Sequence, residues 1–86
     1  MKIRFVPKAE KAFLKLPLPI QQKSKKAFSL LLSNTLHPSL HVKKKQGETD
    51  VWEARINYHY RFAFLKTDKE YVILTIGPHD EGLGKK

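Results

Sequence analysis

The tightest constraint on this chain lies in its last third. Three runs rich in β-branched and aromatic residues, 51–57, 60–67 and 71–77, are separated only by Tyr58-His59 and Asp68-Lys69-Glu70. Such runs favour strands, and connections this short join strands as antiparallel hairpins. Successive side chains of a strand point to opposite faces. Trp52, Ala54 and Ile56, then Tyr60, Phe62 and Phe64, then Val72, Leu74 and Ile76 therefore share one apolar face. The other face carries Glu53, Arg55, Arg61, Ala63, Leu65, Ile73, Thr75 and Gly77, and continued alternation brings His79 to the same side.

The apolar face needs a cover, and the first half of the chain supplies it. Residues 2–6 alternate, with Ile3 and Phe5 on one side, as a short strand does. Pro7 ends that strand and suits the first turn of a helix. Over residues 8–16, Ala9, Ala12, Phe13 and Leu16 fall at i, i+3, i+4 and i+7, one stripe of an amphipathic helix. Pro17 and Pro19 interrupt it. A second helix runs from about residue 19 to 34, with Ile20, Ala27, Phe28, Leu31 and Leu32 inward and the stem of Lys23 at the edge of that stripe. So short a connection makes the two helices an antiparallel hairpin. Residues 35–50 read as a loop, with room for a short extended piece around Val42. The expected fold is α+β in the order β-α-α-β-β-β. Residues 1–86 form a single domain: an antiparallel sheet with the helical hairpin packed on one face, over Ile3 and Phe5 as well.

Register narrows the other face to a small constellation. A tight turn near Tyr58 pairs Arg55 with Arg61, and a three-residue loop centred on Lys69 pairs Arg61 with Gly77, one step from His79. Directly opposed side chains lie roughly 5 Å apart. Arg55, Arg61 and His79 thus converge, with Glu53 close by. Two opposed arginines repel each other, and a shared phosphate would relieve the repulsion. The guanidinium fork binds phosphate oxygens bidentately, and histidine transfers protons near neutral pH. Glu53 is either a base or an orienting partner for an arginine. Such a set suits cleavage of an RNA phosphodiester by its own 2′-hydroxyl, without metal or cofactor. His37, His41, His59 and His79 follow no metal-ligand spacing.

Composition agrees with a polyanionic partner. The formal charge is +9, from 17 Lys and Arg against 8 Asp and Glu, an excess that favours nucleic acid. Lys43, Lys44 and Lys45 would extend a phosphate track beside the sheet. There is no cysteine, which excludes disulfides and thiolate metal sites. A membrane-surface role needs a basic helix with an aromatic apolar face, whereas these helices read as core helices. No apolar run approaches the roughly 20 residues of a membrane span, and the opening Met1-Lys2-Ile3-Arg4-Phe5 alternates instead of forming the apolar stretch of a secretory signal. The expectation is a cytoplasmic protein.

Three segments, Val51-Trp52-Glu53-Ala54-Arg55-Ile56, Tyr60-Arg61-Phe62-Ala63-Phe64 and Val72-Ile73-Leu74-Thr75-Ile76-Gly77-Pro78-His79-Asp80, together with Lys11-Ala12-Phe13-Leu14-Lys15-Leu16-Pro17, resemble the RelE/ParE superfamily of type II toxin–antitoxin toxins. The resemblance spans nearly the whole chain and rests on the order and spacing of these motifs together. It implies a compact sheet carrying a helical hairpin. In the RelE branch it also implies ribosome-dependent cleavage of mRNA, with Arg55, Arg61 and His79 at catalytic positions and Glu53 as a weaker match. A cognate antitoxin is implied as partner, for which Ala63, Leu65 and Ile73 are candidate contacts. Many members carry an aromatic residue just after the last His or Arg, where this chain has Asp80-Glu81-Gly82-Leu83. That departure keeps the gyrase-poisoning ParE branch as an alternative, beside a noncatalytic RNA-binding module.

Overall fold

A computed structural model of the chain describes residues 1–44 and 50–78. Strand β1 (Lys2–Phe5) leads into helices α1 (Pro7–Leu14) and α2 (Leu18–Ser33). A 3₁₀ turn (Pro38–Leu40) follows, then strands β2 (Lys43–Lys44), β3 (Val51–Arg55), β4 (Tyr60–Lys66) and β5 (Glu70–Pro78). The expected order β-α-α-β-β-β is present, with β2 added inside the segment read as a loop. The strands form one sheet in the order β1-β5-β4-β3-β2. β3, β4 and β5 pair antiparallel as expected, and β2 adds to β3 antiparallel, but β1 runs parallel to β5, so the sheet is mixed. Parallel neighbours need a long connection between them, and here almost the entire chain intervenes.

Proline sets both helix starts. Pro7 occupies the first turn of α1, where its missing N–H loses nothing, and Pro19 does the same for α2. Gln21 ties the helical hairpin together: its Nε2 donates to the carbonyls of Leu14 and Leu16, 3.2 and 2.9 Å away, at the end of α1. The inward stripe of α2 is Ser24, Ala27, Phe28 and Leu31. Ser24 takes the place expected for Lys23, and its hydroxyl donates to Ile20 O at 2.7 Å, so no polar group is stranded. Leu32, expected inward, is exposed. A stripe at period 3.6 through Ser24, Ala27, Phe28 and Leu31 leaves Leu32 one step too far round.

Phe28 joins the layers. Its ring lies 5.5 Å from Phe5 and 5.1 Å from Phe62, both in edge-on geometry. Phe62, Phe64 and Tyr71 continue the aromatic row along the sheet, and the buried Tyr71 hydroxyl bonds to that of Thr35. Removing so buried an aromatic ring as Phe28 costs about 3–5 kcal/mol.

β5 departs from simple alternation. Thr67 closes the β4–β5 connection: its Oγ1 accepts from the N–H groups of Lys69 and Glu70, and its own N–H donates to Glu70 O. The loop is therefore Asp68-Lys69 alone, one residue shorter than expected. A bulge then restores the count, because Phe64 pairs with Ile73 while Ala63 pairs with Thr75, leaving Leu74 extra. Residues before the bulge have the opposite parity to those after it. Ile73 and Tyr71 enter the core, and Val72 turns to the helix-free face. This corrects three expectations: Ile73 is fully buried under the helices, Val72 leaves the core face, and Leu74, expected in the core, is the half-buried bulge residue outside it. Leu65, which pairs with Val72, stays half-buried on the face opposite the helices; Ala63 is on that face too but is buried, which corrects its reading as an accessible contact.

Candidate active site on the helix-free sheet face

The β3–β4 hairpin positions the arginines. Asn57 Oδ1 accepts from the N–H groups of His59 and Tyr60, each at 2.9 Å, so a side chain organises the turn. That turn sets Arg55 opposite Arg61. Arg61 in turn lies opposite Gly77, so one row across the sheet reads Arg55, Arg61, Gly77. Gly77 has no side chain, and among the described residues a Cβ built there meets nothing within 4 Å. The row therefore opens beside Arg61. Both registers match those inferred from the sequence, although for Gly77 the shorter loop and the bulge offset one another.

The next row holds Lys43, Glu53, Ala63 and Thr75. Glu53 Oε1 lies 3.4 Å from Arg61 Nη1 and 3.8 Å from Lys43 Nζ. Glu53 and Arg61 have side chains only 18% exposed, against 62% for Lys43. The Lys43 contact is thus a solvated pair of small energy, whereas the arginine contact is sheltered but long for a hydrogen bond. Glu53 balances charge and aims Arg61 without saturating it. Lys44 falls in the row of Trp52, on the helix side of the sheet, so the lysine run does not track along one face. Lys45 and His79 lie outside the described residues.

Both guanidinium groups keep unused donors. Among the described residues, Nε of Arg55 and Nε of Arg61 are buried without a hydrogen-bond partner. A buried unpaired donor costs about 1–3 kcal/mol. Guanidinium donors of this kind are able to bind the oxygens of an anion.

His41 is the residue that sequence reasoning missed. It follows the 3₁₀ turn in left-handed conformation, φ 50°, a region where histidine is enriched among non-glycine residues. Its Nε2 lies 3.3 Å from Arg55 Nη1. A guanidinium has no acceptor, so Nε2 presents its lone pair and the ring proton sits on Nδ1. A histidine just beyond Pro38-Ser39-Leu40 was visible, but nothing in the sequence tied that loop to the end of β3. Among the described residues no three His, Asp or Glu side chains cluster as a metal site.

No family model and no curated relative matches the sequence. Solved structures do match the backbone. The YoeB dimer of Staphylococcus aureus aligns with a TM-score of 0.79 at 19% identity, over 92% of this chain and 97% of that one. The RelE–RelB complex of Pyrococcus horikoshii aligns at 0.76 and 21%, over 94% and 97%. The DinJ–YafQ toxin–antitoxin complex of E. coli aligns at 0.74 and 23%, over 95% and 96%. The chain has the RelE/ParE toxin fold. At 19–23% identity the shared property is this architecture. Within the RelE/ParE fold of this chain, the face opposite the helices carries Arg55, Arg61 and Glu53, and its edge carries His41. No helix among the described residues is long and apolar enough to cross a membrane.

Proposed function

We propose that this chain is the toxin of a type II toxin–antitoxin pair and a metal-independent endoribonuclease that cuts mRNA on the ribosome. The observation that carries the reading is the pair of facing arginines with unpartnered buried Nε–H donors, set in a fold shared with such toxins. In the proposed reaction the ribose 2′-hydroxyl attacks the adjacent phosphorus as it loses its proton. The bond to the 5′-oxygen breaks, and that oxygen is protonated, leaving a 2′,3′-cyclic phosphate and a 5′-hydroxyl. Arg61 and Arg55 hold the phosphate oxygens where negative charge develops. Glu53 aims Arg61, and His79 is the proton donor to the leaving oxygen. Lys43 and Lys45 guide the RNA backbone. A cognate antitoxin contacts the half-buried Leu65 on the same face, and its acidic groups answer the net charge of +9.

Inducing the chain in cells and mapping transcript ends tests the reading, with gyrase supercoiling assayed in parallel. New mRNA ends that vanish with Arg61→Ala support it. Supercoiling inhibition with intact transcripts would replace it by the gyrase-poison reading.

A further inference from the structure

A second cationic cleft lies round the edge of the sheet from the facing arginines. It is lined by Lys23 and Lys26 of α2, Ser39 of the 3₁₀ turn and Arg55 at the end of β3, over a floor that includes Ala27 and Leu40, with a volume of about 200 Å³. Lys23 and Lys26 are one helical turn apart, so their charges repel. α2 contains no acidic residue to offset them; the chain has none between Glu10 and Glu48, a stretch with eight lysines. Among the described residues no carboxylate lines the cleft and none pairs with Lys23, Lys26 or Arg55. The one carboxylate near Arg55 along the strand, Glu53, is engaged with Arg61 and Lys43.

Arg55 connects this cleft to the sheet face. Its Nη1 points at His41, its Nε has no partner among the described residues, and its side chain also forms part of the cleft wall. From this we infer that the cleft is a second phosphate subsite, which takes a backbone phosphate of RNA away from the scissile bond. Lys23 and Lys26 supply the charge, and Arg55 is shared between the two positions. The cleft is roomy for a solvated phosphate, given roughly 30 Å³ per water, and its lining offers no aromatic face on which a base would stack. It therefore reads backbone and not sequence. RNA would leave the sheet at the open end of β3 and pass over the 3₁₀ turn to α2. This inference rests on the RNA-cleavage reading above.

The test measures binding of single-stranded RNA, with 2′-deoxy substitutions that block cleavage, across a salt series. The wild-type chain is compared with Lys23→Gln/Lys26→Gln and with a control of equal charge change on α1, Lys8→Gln/Lys11→Gln. For a long single strand, the α2 variant should lose affinity alike for all sequences, with its salt slope reduced by about 0.7 for each phosphate that is no longer neutralised. A dinucleotide, which reaches only the sheet face, should bind both variants like wild type. If the long strand is unaffected but ribosome binding weakens in the α2 variant alone, the phosphate belongs to ribosomal RNA and the subsite stands. Binding of both partners equal to wild type, or equal to the control, overturns the subsite. In that event loss of cleavage in Arg61→Ala still upholds the nuclease. A wild-type chain that neither binds nor cuts RNA removes both.

Discussion

Arg55 Nη1 donates to His41 Nε2 across 3.3 Å, which fixes an imidazole to a guanidinium at the end of β3. The lone pair of His41 is occupied by this hydrogen bond, so His41 acts here as a positioning residue for Arg55. His41→Ala should slow RNA cleavage about tenfold, or 1.4 kcal/mol. His41→Gln, whose amide oxygen can accept the same hydrogen bond, should restore most of the rate. Single-turnover cleavage of a fixed RNA measures both. Failure of Gln to rescue would show that the imidazole does more than hold Arg55.

Arg61 sits between Glu53 and the opening beside Gly77. Arg61→Ala should lower cleavage by about 10²–10³-fold, the usual effect of losing a donor to developing negative charge. Arg61→Lys keeps the charge toward Glu53 but loses the planar fork, so its rate should fall in between. Circular dichroism and thermal melting establish that both variants stay folded.

Asn57 accepts two backbone N–H bonds at the tip of the β3–β4 hairpin. Asn57→Ala leaves both donors without that partner and should destabilise the chain by about 1–2 kcal/mol. Urea unfolding should show an earlier midpoint with an unchanged slope. Because this turn sets Arg55 opposite Arg61, cleavage by the folded variant should also drop.

Ile73 and Leu65 give a paired test of the bulge. Ile73 is fully buried beneath the helices, whereas Leu65 is half-buried on the other face. Ile73→Ala should cost about 2–5 kcal/mol, and Leu65→Ala clearly less. Equal losses in urea unfolding would contradict the parity assigned to β5.

Sequence alternation was enough to place Glu53, Arg55 and Arg61 on one face, because β3 and the first half of β4 are regular. It was also enough to place Phe62 and Phe64 in the core, as the helical period was for Ala27, Phe28 and Leu31. It failed at Ile73 and Val72, since a bulge at Leu74 follows from cross-strand packing and leaves no mark in the period of a single strand. The parallel pairing of β1 was hidden for a related reason. Four residues of alternation specify a strand, but not which neighbour it meets or in which direction. His41 was out of reach because a loop's path depends on what it packs against. The residues alone supplied the order of elements, the shared face of the arginines and their fitness for phosphate; the RelE/ParE resemblance added the ribosome, mRNA and the antitoxin.

β1 joins residues 2–5 to residues 70–73, so two strands that pair directly are separated in the chain by both helices and by β2, β3 and β4. Until residues 70–73 are in place, Ile3 and Phe5 have no sheet to complete. Contacts between such distant segments delay folding through the loop that must close. The β3–β4 hairpin that carries the arginines forms locally, but the layer that supports it is complete only once that long loop has closed.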